Sequence, residues 1–119
     1  MNYKPKQGDI VFIDFDPSKG YEVQKRRPVL VMSRNEYNIS TNMVIVCPIT
    51  TTLKERPFLI AIESKNLPEK FNCKVNTNQV YSLDYSDCAN RKIQFIETME
   101  EEQFYIIVQK FMHNSAFKL

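Results

Sequence analysis

The 119-residue sequence is poor in the residues that build metal centres and disulfide frameworks. It has one histidine, His113, and three widely spaced cysteines, Cys47, Cys73 and Cys88, which match no CxxC pair and no zinc-binding pattern. This scarcity excludes a catalytic pair of histidines within one chain and a metal site built on histidine clusters. We expect free thiols, with Cys47 filling the core because it lies inside an apolar run.

Long apolar runs, internal repeats and low-complexity tracts are missing as well. No stretch approaches the ~20 apolar residues that cross a bilayer, and the first ten residues lack the apolar segment of a secretory signal. Hydrophobic residues make up 43% and charged residues 25%, as in ordinary globular proteins. We therefore expect a single domain over 1–119, in the cytoplasm and without membrane contact.

The net charge of +2 is small but unevenly distributed. Residues 1–34 carry seven Lys and Arg against four Asp and Glu, whereas residues 97–102 carry four Glu and no basic residue. A cationic patch on a nearly neutral protein is compatible with nucleic-acid binding but does not prove it.

Most of the chain has the pattern of short β-strands, in which β-branched and aromatic residues are bounded by turn formers. The predicted strands cover 8–15, 29–33, 43–50, 57–63, 75–83 and 92–96. Five or six short strands in one small chain favour a curled sheet or partial barrel.

The last part of the chain changes to a helical period. The apolar residues at helical spacing are Phe104, Ile107, Val108 and Phe111. Thr98 and Glu101 form a capping-box pattern, and His113 would complement the C-terminal end of the helix dipole. We predict an amphipathic helix over 100–112, which makes the fold mainly β with a C-terminal helix.

The segment 14–28, DFDPSKGYEVQKRRP, holds the densest set of charged candidates. Asp14 and Asp16 share one face of the first strand because they are two residues apart. Glu22 lies in the loop that follows. A solvated surface loop is the simpler interpretation of these charges.

The same segment ends in three basic residues before Pro28. For Lys25 and Arg26, solvation and simple attraction to phosphate are equally good interpretations. For Arg27 we favour phosphate binding, because Pro28 restricts its backbone and the strand anchors its planar guanidinium.

Two further polar stretches offer hydrogen-bonding groups. CPITTT at 47–52 clusters hydroxyls at a strand end, and NTNQVYSLD at 76–84 mixes amides and hydroxyls with Tyr81. Taken alone, both are explained by β-propensity and turn chemistry.

Side by side, these segments resemble the MazF/PemK toxins of bacterial toxin–antitoxin modules. The matching features are GDIVFIDFDP at 8–17, Gly20, Glu22, Arg27 and Pro28 before VLVMS, Tyr37 with Asn38, VCPITT at 46–51 and NQVYSLD at 78–84. Their order and spacing hold over 8–112.

The resemblance implies a CcdB/PemK-like fold, which is an SH3-like curled barrel with a C-terminal helix, usually in a homodimer. It implies a sequence-specific endoribonuclease that cuts single-stranded RNA (mRNA) without a metal or other cofactor. Attack by the 2′-hydroxyl would leave a 2′,3′-cyclic phosphate and a 5′-hydroxyl. It also implies a cognate antitoxin of the MazE type, whose disordered acidic tail covers the RNA groove.

The resemblance also places the family's site residues. The essential arginine falls on Arg27 and the essential threonine on Thr50, with acidic support from Asp14 and Glu22. Arg27 would stabilise the phosphorane, and Thr50 would bind a non-bridging oxygen or orient the 2′-hydroxyl. Glu22 is a candidate general base, but the groups that transfer protons stay open.

Candidate RNA ligands come from the same loop and from the 76–84 stretch. Lys19, Lys25 and Arg26 are candidates for phosphates, and Tyr21, Asn78 and Gln79 for bases. Many family members have GSEQ and then Gly before the Arg-Pro pair, whereas this chain has the bulkier GYEV at 20–23. That departure affects the expected RNA sequence preference more than catalysis.

Two alternatives differ in class. The first is a non-enzymatic toxin that poisons DNA gyrase, as CcdB relatives do with a Trp-containing C-terminus; this chain has no Trp, which argues against it. The second is a catalytically inactive module that binds RNA or antitoxin.

Overall fold

The computed structural model describes residues 3–15, 26–69 and 71–114. In chain order the elements are β1 (Asp9–Asp14), β2 (Arg26–Val31), α1 (Asn35–Thr41), β3 (Met43–Thr51), β4 (Leu59–Ala61), β5 (Cys73–Asn76), β6 (Tyr81–Asp84), a 3₁₀ turn (Asp87–Ala89), β7 (Gln94–Thr98) and α2 (Glu101–Asn114). Within these ranges the strand order is β4-β5-β3-β2-β1-β7, and β6 also pairs with β3. Every pairing is antiparallel, which agrees with the predicted mainly β fold.

The sheet is built around β3, which has β2 on one side and β5 and β6 on the other. The prediction of one strand over 75–83 was wrong. Between the pairs Ile49–Val75 and Val46–Tyr81, β3 advances three residues while the opposite chain advances six. The extra residues form a turn, because the Asn76 side chain accepts a hydrogen bond from the Asn78 N–H at 2.9 Å.

Side chains alternate between two faces of the sheet, and each face has its own core. The helix-side core contains Ile10, Leu30, Cys47, Ile49, Ile62, Leu67, Cys73, Val75, Met99 and Ile107. The far-side core contains Val11, Ile13, Val29, Val31, Val44, Val46, Leu83 and Tyr85. The predicted burial of Cys47 is confirmed.

The C-terminal helix packs on the helix-side core as predicted. Ile107 is fully buried, and Phe104 and Phe111 pack against the same cluster. The predicted capping box was wrong, because Thr98 ends β7 and its hydroxyl donates to the Asp9 carboxylate at 2.9 Å. That hydroxyl is therefore used within the sheet.

The other strand predictions differ mainly at their ends. The strands predicted at 8–15 and 43–50 match β1 and β3 closely. The strand predicted at 29–33 begins earlier, at Arg26, because Arg26 and Arg27 pair with the end of β1. The one at 57–63 shortens to β4, and the one at 92–96 shifts to β7.

Helix α1 was not predicted. It is seven residues long, and its only buried residue is the polar Asn38. The Asn38 amide donates to the Pro5 carbonyl at 3.0 Å, and the Tyr85 hydroxyl donates to the Asn38 carbonyl at 2.6 Å. Because the buried residue of α1 is polar, the sequence shows no apolar helical period that would predict this helix. No helix in the described ranges is long and apolar enough to span a membrane.

Candidate active site

The ends of β2 and β3 bring Arg27 and Thr50 together. Arg27 pairs with Ile13 of β1, and Val29 pairs with Pro48 of β3. The pairing of β2 with β3 ends at Val29 and Pro48, and Arg27 and Thr50 each lie two residues beyond that pair. Alternation along the strands predicts that both side chains lie on the far-side face, and both residues border one pocket, so they lie close together.

Both side chains are available to a ligand. Arg27 is exposed and Thr50 is half-buried. Neither side chain has a hydrogen-bond or ion-pair partner among residues 3–15, 26–69 and 71–114. Both residues border a pocket of about 430 Å³. The rest of its lining comprises Phe12, Pro28, Ile49, Thr51, Leu67, Pro68, Glu69 and Cys73.

Arg26 and Asp14 lie on the opposite face of the same strand pair. The Arg26 guanidinium donates to the Asp14 carboxylate at 3.0 Å and to the Gln94 side chain at 3.2 Å. It also lies over the Phe12 ring, 5.8 Å from the ring centre. The predicted supporting acid and the predicted phosphate ligand therefore bind each other, and the structure does not bring them to the Arg27 face.

The remaining predicted residues divide into two groups. Lys19, Tyr21, Glu22 and Lys25 lie outside the described residues, so their roles stay predictions. Asn78 and Gln79 are exposed in the turn between β5 and β6, across β3 from Arg27.

An aromatic pair shares the Arg27 face. Phe15 lies two residues after Ile13, and Tyr81 pairs with Val46 of the far-side core. Their rings meet edge to face, with centres 4.9 Å apart, and Tyr81 is 37% exposed. An exposed aromatic ring of this kind offers a stacking surface to an unpaired base.

Sequence reasoning missed Lys74, which pairs directly with Thr50. Paired residues on antiparallel strands place their side chains on the same face, so the Lys74 and Thr50 side chains leave the sheet on one face. It is only 5% exposed. No sequence signal could have found it, since its place depends on the register between β3 and β5.

A buried thiol, that of Cys73, lines the pocket. Burial raises the pKa of Cys73 above its ordinary value, and burial raises the pKa of the neighbouring core residue Cys47 to about 12. Burial therefore disfavours the thiolate form of both side chains. No group of three or more His, Cys, Asp or Glu side chains in the described part of the chain is placed to hold a metal ion.

An exposed guanidinium beside a hydroxyl suits one kind of ligand. The guanidinium offers several N–H donors in a plane that matches phosphate oxygens. The hydroxyl both donates and accepts. Together they can hold a phosphodiester and stabilise negative charge that develops on it.

Known proteins share this arrangement of the chain. Residues 6–114 match the family model of the PemK-like, MazF-like toxins of type II toxin–antitoxin systems. The endoribonuclease toxin MazF of Escherichia coli strain K12 is 40% identical over 63 residues. That alignment covers 53% of this chain and 57% of the Escherichia coli protein.

Solved structures agree over nearly the whole chain. MazF from Deinococcus radiodurans superposes with a TM-score of 0.76 at 26% identity, covering 98% of this chain and all of that one. A MazE–MazF structure from the same organism gives a TM-score of 0.73 at 24% identity, with coverage of 98% and 100%. These matches confirm the expected CcdB/PemK-like fold.

Proposed function

This chain belongs to the PemK-like, MazF-like toxins of type II toxin–antitoxin systems, and on that premise we propose that it is an endoribonuclease that cleaves single-stranded RNA. The observation that carries the proposal is the pairing register, which supports Arg27 and Thr50 as neighbours on one open face of the sheet.

Arg27 acts on the phosphate. The ribose 2′-hydroxyl attacks the adjacent phosphorus, and the bond from phosphorus to the 5′-oxygen breaks. The products are a 2′,3′-cyclic phosphate and a 5′-hydroxyl, and no water enters this step. Negative charge grows on the non-bridging oxygens during the attack, and the exposed Arg27 guanidinium donates to them.

Thr50 acts beside it. Its hydroxyl donates to a non-bridging oxygen or orients the attacking 2′-hydroxyl. One proton must leave the 2′-hydroxyl and another must reach the 5′-oxygen. Glu69 lines the same pocket and Glu55 is paired with Lys74 nearby, and Glu22 remains the proposed base.

The RNA backbone follows the cationic end of this face, and unpaired bases stack on exposed aromatic rings such as Tyr81. Lys19, Lys25, Tyr21, Asn78 and Gln79 remain proposed contacts. The proposed assembly is a homodimer in the cytoplasm, inhibited by an acidic antitoxin that covers the Arg27 face. The MazE–MazF structures of relatives support that partner class.

The proposal is tested by incubating the purified protein with a long RNA in EDTA and mapping the new 5′ ends. We expect discrete cuts with 5′-hydroxyl ends, and we expect Arg27→Ala and Thr50→Ala to reduce them strongly. Ser40→Ala is the matched control, because Ser40 is exposed on α1 and does not line the pocket. Intact RNA across many sequences, or equal loss in Ser40→Ala, would contradict the proposal.

A further inference from the structure

Lys74 is an ammonium group almost removed from water beside the proposed catalytic threonine. Its side chain is 6% exposed, and its Nζ donates to the Lys54 carbonyl at 2.6 Å and to the Glu55 carboxylate at 3.1 Å. Burying a charge is costly unless it is paired and hydrogen-bonded. Both partners lie in the loop of residues 52–58, which follows β3 directly.

Lys74 connects the middle of the 52–58 loop to the sheet. Its two ends have other anchors: the Thr52 N–H donates to the Asn72 carbonyl, Asn114 donates to the Pro57 carbonyl, and Thr77 donates to the Phe58 carbonyl. Among the described contacts, only Lys74 ties Lys54 and Glu55 to the sheet. Within the loop the Lys54 N–H also donates to the Thr52 hydroxyl at 3.1 Å, and Lys74 supplies the connection of this part of the loop to the sheet.

The same contacts make the loop more suitable for binding a polyanion. Lys54 is exposed, and the carbonyl that Lys74 holds belongs to Lys54 itself, so the backbone that carries the Lys54 ammonium is fixed. Lys74 also neutralises Glu55, which is otherwise the loop's only negative charge and would repel phosphate. Arg56 adds a second exposed cation two residues further on.

We propose that Lys74 is a positioning residue for RNA binding, which holds the 52–58 loop so that the Lys54 ammonium contacts an RNA phosphate next to Thr50. The inference rests on the proposed function, since it names a further contact of the same site. Lys74 itself does not touch the RNA and acts through Lys54.

The experiment measures binding of a 2′-O-methylated single-stranded RNA, which cannot be cut, at about 50 and about 200 mM salt. Losing one phosphate contact should reduce the salt-driven change in affinity across this range by about threefold. We expect that loss in Lys54→Ala, in Lys74→Met and, to the same extent, in the double variant. Lys74→Arg should restore binding in part, and Lys110→Ala on the exposed side of α2 is the matched control.

Three results would overturn the inference. The first is a double variant whose loss of RNA affinity equals the product of the two single losses, and the second is a Lys74→Met variant whose affinity depends on salt as in the wild type. The third is a Lys54→Ala variant that binds RNA like Lys110→Ala. Lys54 is exposed, so its variant folds and tests the proposal even where Lys74→Met lowers the melting temperature. If the wild type cuts RNA and these variants bind like it, the inference alone fails. If the wild type binds no RNA, the proposed function fails first.

Discussion

The two faces of β2 differ in whether their charged side chains have partners, as its first two residues show. Arg26 points to the helix side, where Asp14, Gln94 and the Phe12 ring occupy its guanidinium. Arg27 points to the far side, where it is exposed and has no partner in the described part of the chain. Identical side chains on adjacent residues thus differ, since Arg26 is a paired cation and Arg27 is an exposed cation with no partner in the described part of the chain.

The same alternation continues on β3. Ile49 is buried in the helix-side core, whereas Thr50 is half-buried on the far side. On β2 the far-side core ends at Val29 and Arg27 follows, and on β3 the buried Pro48 separates Val46 from Thr50. At this end of the sheet the helix side is also open, because the pocket that Arg27 and Thr50 border is lined by the helix-side core residues Ile49, Leu67 and Cys73.

The largest difference between the faces should appear in catalysis. We expect Arg27→Ala to lower the cleavage rate by about 10²–10³-fold, because it removes donors to the charge that develops on the phosphate. Arg26→Ala should keep the rate within about tenfold, since Arg26 is already paired with Asp14. Single-turnover cleavage of one RNA measures both. Equal losses of cleavage rate in the two variants would contradict the difference described between Arg26 and Arg27.

Under the helix, substitution should affect stability and not chemistry. Ile107→Ala removes a fully buried side chain and should lower the free energy of unfolding by about 2–5 kcal/mol. Its neighbour Ile106 is 50% exposed, so Ile106→Ala should cost far less. Urea unfolding of the two variants makes this comparison, and similar midpoints would contradict the packing described for α2.

Substitution of Asp14 tests whether this carboxylate stabilises Arg26 or supports Arg27. Asp14→Asn should lower the free energy of unfolding by about 1 kcal/mol, because it weakens a half-buried charged hydrogen bond to Arg26. The cleavage rate should stay close to wild type. The double variant Asp14→Asn with Arg26→Ala should be no less stable than Arg26→Ala alone, because both substitutions remove the same ion pair. A large loss of rate in Asp14→Asn would show that Asp14 supports Arg27 instead.

The smallest expected effect is a decline of stability at alkaline pH. Burial raises the pKa of Cys47 from 9.0 to about 12 in the folded protein. Below pH 9 the thiol is protonated in both states, and the stability it contributes is fully present. As pH rises from 9 towards 12, the unfolded chain ionises first and stability falls.

Cys47→Ala should flatten that decline. Cys73 and Tyr85, whose pKa values burial also raises, leave a remaining slope in the variant. Chemical unfolding at several pH values above 9 gives the two curves. Parallel curves for wild type and variant would contradict the burial of the Cys47 thiol.

Much of the fold could be predicted because it depends on local pattern. Alternating β-branched residues located β1 and β3, and the helical period of Ile107 and its neighbours located α2. The errors arose where one side chain decided the outcome. Asn76 turned one expected strand into two, and Thr98 bonded to Asp9 instead of capping a helix.

The sequence by itself determined the family, the strand that carries Thr50, and the free cysteines, because these depend on residue types and spacing along the chain. Only the tertiary structure decided which charges stay open. It paired Asp14 with Arg26 and placed Lys74 opposite Thr50. The physical reason is that register between strands distant in sequence sets each side chain's face and neighbours, and no local pattern encodes that register.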